Sequence, residues 1–119
     1  MQLDSIYQEP GVLLLAQADD GTRLGCVGLR VLPTDAGTPA TGEIRRLFVR
    51  DEARGTGLGR RLANQLVVHA QAAELSRLVL NTLPAMTEAQ ALYASIGFEL
   101  CTPYVDEPLD GVLYYSLSV

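Results

Sequence analysis

The chain has 119 residues, of which 48% are hydrophobic and 19% charged. A chain of this length buries roughly two thirds of its unfolded surface, so one domain, 1–119, with a real core is expected and a disordered chain is excluded. Fourteen acidic residues outweigh nine basic ones, for a net charge of −5. Every basic residue is an arginine, which excludes a lysine Schiff base and a Walker-type lysine. Cys26, Cys101 and the lone His69 make neither a disulfide framework nor a metal cluster, so no metal is expected. No apolar run approaches the roughly 18 residues of a membrane span. The start, Met-Gln-Leu-Asp-Ser, lacks the basic and apolar stretches of a signal peptide, so a cytoplasmic protein is expected.

In chain order, Leu3 to Gln8 reads as the end of a helix. Val12 to Ala16 is an apolar strand, Asp19-Asp20-Gly21 a turn, and Arg23 to Leu32 the second arm of a hairpin. The Pro/Gly/Thr-rich stretch Pro33 to Thr41 reads as a loop. Glu43 to Arg50 is a strand with charged groups at its start. From Leu58 the period becomes helical: Leu58, Leu62, Leu66, Ala70 and Ala73 form one stripe. That helix runs to about Glu74 and is about 25 Å long. Leu78 to Leu80 is a short buried strand ending near Asn81. A second helix spans Thr87 to Ile96, with Thr87 as N-cap and Gly97 as C′ residue. Phe98 to Cys101 and Val112 to Leu117 are closing strands around the loop Thr102 to Gly111. The order β-β-β-α-β-α-β-β predicts an α/β fold: a mixed, mostly antiparallel sheet of six strands with two main helices. The strand–helix–strand unit from Glu43 to Asn81 requires a parallel pair and a right-handed crossover.

Six arginines fall between Arg45 and Arg61, opposed only by Asp51 and Glu52. One concentrated basic segment in an acidic chain points to a site for a small anion and not to a nucleic-acid face. Within it, Arg54-Gly55-Thr56-Gly57-Leu58-Gly59-Arg60 joins a strand to a helix. Alternate glycines let the backbone turn sharply and approach a ligand. The helix start adds unpartnered amides at a positive dipole end, a surface suited to a diphosphate. The loop is neither a P-loop, because Arg60-Arg61 follows Gly59, nor a dinucleotide fingerprint, because its glycines are spaced Gly55-x-Gly57-x-Gly59.

The spacing Arg54-x-x-Gly57-x-Gly59 resembles the Arg/Gln-x-x-Gly-x-Gly/Ala loop of the GNAT superfamily of N-acetyltransferases. Glu43 to Val49 resembles the strand that leads into that loop. Ala89-x-x-Leu92-Tyr93-x-x-x-Gly97-Phe98 resembles the family's last helix and the strand after it. The run from Pro103-Tyr104 to Leu117 resembles the end of one bacterial branch, so the likeness covers about residues 11 to 118.

The resemblance implies acetyl-CoA as cosubstrate, with no metal, and transfer of its acetyl group to a primary amine of a small molecule or peptide. The amides of Gly55, Thr56, Gly57, Leu58, Gly59 and Arg60 would hold the diphosphate, with Arg54 contributing. The backbone of Leu47, Phe48 and Val49 would pair with the pantetheine arm. Tyr93 would serve as acid toward the departing sulfur. Glu43 is the candidate base, through water, and Asn81 a candidate contact to the cofactor. Cys26 reads as a small core residue, Cys101 as structural, and His69 as a helix-boundary residue. The closing loop carries Asp106, Glu107 and Asp110, which would favour a cationic amine.

Two departures stand out. The family begins with a strand and two helices before the hairpin, so about 45 residues would be absent here, going by the short connections such folds use. Those helices form much of the acceptor pocket, and without them Val12 to Ala16 would be an exposed sheet edge. A homodimer is expected from that edge, and a catalytically idle acyl-CoA-binding module is the alternative function. Second, Met86 stands where many members carry an asparagine.

Overall fold

Why the sheet opens in its middle follows from how its strands pair. The computed structural model of the chain describes residues 2–8, 11–33 and 39–119, and for 2–8 the backbone alone. The loop read from Pro33 to Thr41 therefore lies partly outside the described residues. Seven strands form one sheet: β1 (Gln2–Gln8), β2 (Gly11–Gln17), β3 (Arg23–Val31), β4 (Thr41–Val49), β5 (Arg77–Thr82), β6 (Glu99–Leu100) and β7 (Leu113–Ser118). Two helices accompany them, α1 (Leu58–Ala72) and α2 (Thr87–Ile96). The strand order is β1-β2-β3-β4-β5-β7-β6. Among the described residues β4 and β5 are the only parallel neighbours, joined by the crossover through α1. The mixed, mostly antiparallel architecture with two helices is the one expected.

The start of the chain differs from expectation. Gln2–Gln8 is a strand, not a helix end, paired antiparallel with β2 from Gln2↔Gln17 to Gln8↔Gly11. Seven residues are too few for a helix to stand without packing support, and the ladder on β2 satisfies their backbone groups instead. Val12 to Ala16 is therefore an inner strand, and the edge on which the homodimer was expected is covered by β1. Only residues 9 and 10 separate β1 from β2 in sequence.

Side chains of β2 and β3 alternate between two environments. Val12, Leu14, Ala16, Val27 and Leu29 form the core with Leu58, Leu62, Leu66 and Ala70 of α1. A helical stripe meets the alternate residues of a pleated surface, as their two periods require. Glu74, with φ 62°, carries the chain out of the helix two residues after its end at Ala72. At α2, Met86 occupies the N-cap position and Thr87 is the first helical residue, a shift of one from the expected cap. Gly97, at φ 119°, closes α2, its amide donating to the Tyr93 and Ala94 carbonyls. Cys26 is half-buried and not a core residue. Among the described residues no helix is long and apolar enough to cross a membrane.

β4 and β5 pair only over Thr41↔Arg77, Gly42↔Leu78 and Glu43↔Val79. Beyond Glu43 the β5-facing edge of β4 has no ladder partner among the described residues. The other edge of β4 carries a bulge. Cys26 pairs with Phe48 and Gly28 with Arg45, so Arg46 and Leu47 together face Val27. Arg46 takes φ 63°, a left-handed conformation in a residue that is not glycine. Bulges bend a strand and re-aim its side chains, and here the bend lies where β4 leaves β5.

Candidate functional site

The glycine loop is built as its sequence suggests. After a 3-10 turn over Asp51–Ala53, Gly55 and Gly57 take φ 77° and 83°, with no other group within 4 Å of where a Cβ would stand. Gly57 is the N-cap of α1 and offers no side chain to cap it. The first bond of the helix is Arg61 N to the Gly57 carbonyl, so the amides of Leu58, Gly59 and Arg60 have no intrahelical acceptor. They border a cleft of about 620 Å³ between the loop, the end of β4 and the start of α2. Arg54 Nε donates to the Val49 carbonyl at 3.3 Å, tying the loop to the strand. An Arg60 guanidinium nitrogen lies 2.7 Å from Ser95 Oγ on α2.

A second cleft, of about 570 Å³, lies where β4 and β5 part. Glu43, Asn81 and Tyr93 line it, and Leu47, Phe48, Met86 and Ala89 line both clefts. The two clefts thus adjoin along a shared wall, with the loop residues around one and ionisable side chains around the other. Thr56 is the exception among the predicted loop residues: it does not line the cleft, and its hydroxyl turns back to the Ala53 carbonyl. Asn81 borders the second cleft and not the first.

Tyr93 is 5% exposed, its ring edge-on to Phe98 at 5.5 Å. Burial pushes its hydroxyl up to about 12, which keeps it a proton donor at neutral pH. Glu43 is 5% exposed, and its carboxylate is held from three sides. Arg30 and Arg45 approach Oε1 at 3.3 and 3.4 Å, and the Tyr104 hydroxyl donates to Oε2 at 2.9 Å. Asn81 Nδ2 donates in turn to Tyr104 Oη at 3.2 Å. Tyr104 packs edge-on to Tyr114 at 5.4 Å. Its hydroxyl is pushed well above the ordinary tyrosine range, by burial first and then by the Glu43 carboxylate.

Tyr104 is the residue that sequence reasoning missed. It sits in an irregular loop 61 positions from its partner, and no spacing rule links the two. The neighbouring Asp106, Glu107 and Asp110 are exposed and line neither cleft. His69 and Cys101 line neither cleft. Among the described residues no group of three or more His, Cys, Asp or Glu could hold a metal ion.

The chain is 36% identical to an uncharacterised N-acetyltransferase of Schizosaccharomyces pombe, over 92% of this chain and 64% of that protein. It is also 36% identical to an IAA acetyltransferase of Azospirillum brasilense, over 85% of this chain and 65% of that one. The chain thus spans just under two thirds of either relative. A GNAT family acetyltransferase from Elizabethkingia anophelis, solved with acetyl-CoA bound, shares the fold over 92% of this chain and 76% of its own, with TM-score 0.73 and 23% identity. The model of the acetyltransferase (GNAT) family matches residues 2–98, which include the glycine loop, the parting strands and the Tyr93 helix, and the chain belongs to that family.

Proposed function

We propose that the chain transfers the acetyl group of acetyl-CoA to a primary amine of a small molecule or peptide, by direct attack within a ternary complex. The observation that carries this reading is the pair of adjoining clefts where β4 and β5 part, one bordered by the glycine-loop residues and the other by Glu43 and Tyr93. The fit to acetyl-CoA rests on three features. Unpartnered amides at the start of α1 suit a diphosphate, and Arg54 and Arg60 border the same cleft. The free β5-facing edge of β4 suits an extended arm with amide groups. The relative from Elizabethkingia anophelis binds acetyl-CoA on the same fold.

Bound acetyl-CoA supplies a thioester, whose carbonyl carbon forms the new C–N bond while its C–S bond breaks and the thiolate leaves. Tyr93 acts as acid, its hydroxyl delivering a proton or hydrogen bond toward the departing sulfur. The backbone amide near Val49 is a donor for the developing charge on the carbonyl oxygen. Glu43 acts as base, receiving through water the proton shed by the attacking nitrogen. Tyr104 and Asn81 position that carboxylate. No covalent enzyme intermediate is required, so Cys26 and Cys101 need no role.

A second reading is an acyl-CoA-binding module without turnover. It is favoured by the two-residue step from β1 to β2, which leaves no room for a helical wall between those strands. Thiol release from acetyl-CoA with a panel of amines separates the two. Turnover that falls in Tyr93→Phe supports the enzyme. Binding of acetyl-CoA without turnover on any amine supports the module.

A further inference from the structure

The second cleft carries more positive charge than its one carboxylate offsets. Glu43 is the only acidic residue lining it among those described. Its side chain is 6% exposed and already engaged by Arg30 and Arg45. Arg46 lines the same cleft, is exposed, and makes no hydrogen bond or ion pair among the described residues. Arg46 is therefore an uncompensated cation on the wall of this cleft. A bare ammonium would be repelled there, whereas an anionic group would be drawn in.

The backbone adds an independent observation. Arg46 holds φ 63° at the bulge, a conformation that costs a residue with a Cβ roughly 1 kcal/mol or more and that glycine adopts freely. An arginine at this position sets its side chain at the mouth of the cleft, and such local strain clusters at ligand-binding positions.

We propose that the acceptor is an amino carboxylate. Arg46, supported by Arg45, binds its carboxylate through charge-assisted hydrogen bonds, while its amine faces the thioester. This rests on the acetyltransferase reading and narrows it to amines that bear a carboxylate. The exposed acids of the closing loop, which line neither cleft, do not set the choice.

The test compares the proteinogenic amino acids, β-alanine and γ-aminobutyrate as acceptors, each beside its amide and its decarboxylated amine. For the α-amino acids these two controls bracket the parent in amine basicity, so the missing carboxylate is what they share. At least one amino carboxylate is expected to exceed both controls in kcat/KM by about tenfold, the size of one hydrogen bond to a charged group. The preference should shrink with added salt. Arg46→Asn, chosen because asparagine tolerates the left-handed region, should abolish the preference through KM. Equal or better transfer to the carboxylate-free controls, a preference that survives Arg46→Asn, or no amino carboxylate acting as acceptor overturns the proposal. A thermal shift with acetyl-CoA alone keeps the two readings apart. If acetyl-CoA stabilises the protein and the carboxylate-free amines turn over equally well or better, only the carboxylate assignment fails. If acetyl-CoA gives no stabilisation, the acetyltransferase reading fails and this one with it.

Discussion

The hydroxyl of Tyr104 lies 2.9 Å from Oε2 of Glu43, and the same hydroxyl accepts from Asn81 Nδ2 at 3.2 Å. A loop residue thus joins a carboxylate on β4 to a side chain on β5, on the two strands that part at the second cleft. The phenol stays protonated, because burial and the adjacent carboxylate both oppose its ionisation. Tyr104→Phe removes the donor and keeps the ring against Tyr114. It is expected to lower kcat with the acceptor by about tenfold, the size of a hydrogen bond to a charged group. KM for acetyl-CoA should not change. Equal losses in both parameters, or none, would refute the positioning role, and steady-state kinetics with each substrate varied in turn decides.

Tyr93→Phe should lower kcat by about 100-fold, the lower range of general acid catalysis. Thermal stabilisation by acetyl-CoA should remain, since Tyr93 does not border the loop cleft. At a concentration 100 times Kd that stabilisation is about 2.7 kcal/mol, enough to read by differential scanning fluorimetry. A variant as active as the parent would remove Tyr93 from the chemistry.

The pH dependence has a defined sign. Burial raises the Tyr93 hydroxyl from the ordinary 10.0 to about 12. Stability from keeping this group neutral is fully present below pH 10 and is lost as pH rises toward 12, because the unfolded chain ionises first. Transfer should therefore rise with pH as the acceptor ammonium loses its proton, with no fall from loss of the acid below pH 10. Alkaline unfolding should be less steep in Tyr93→Phe. A rate that falls between pH 8 and 10 at constant folded fraction would contradict this assignment.

Two glycines of this segment should respond differently to alanine. At Gly57, φ is 83° and a Cβ would meet no other group within 4 Å. The cost of Gly57→Ala is therefore conformational, about 1 to 2 kcal/mol, and acetyl-CoA affinity should fall with the displaced amides. Gly59 lies inside α1, and its Cβ would come 3.3 Å from a methyl of Leu92, the end of a flexible side chain. Gly59→Ala gains helix propensity of roughly 1 kcal/mol against that contact, so its melting temperature should stay near that of the parent. Paired thermal melts with and without acetyl-CoA measure both.

Much of this protein was legible from local pattern. The stripe Leu58, Leu62, Leu66 and Ala70 announced α1, and the alternate glycines before it announced a sharp turn into that helix, because helical period, caps and φ preference act over a few residues. Glu43 and Tyr93 could be singled out as candidates because each belongs to a segment whose likeness to the family is itself local. What only the tertiary structure decided depends on pairing between distant segments. The Gln2–Gln8 segment became a strand because β2 offered a ladder, which its own seven residues do not encode. The bulge that places Arg46 in a left-handed conformation arises from the offset between β3 and β4. Tyr104 joined the site because the sheet folds its loop over β4 and β5, and a hydrogen bond across 61 residues leaves no periodic trace in either partner's neighbourhood.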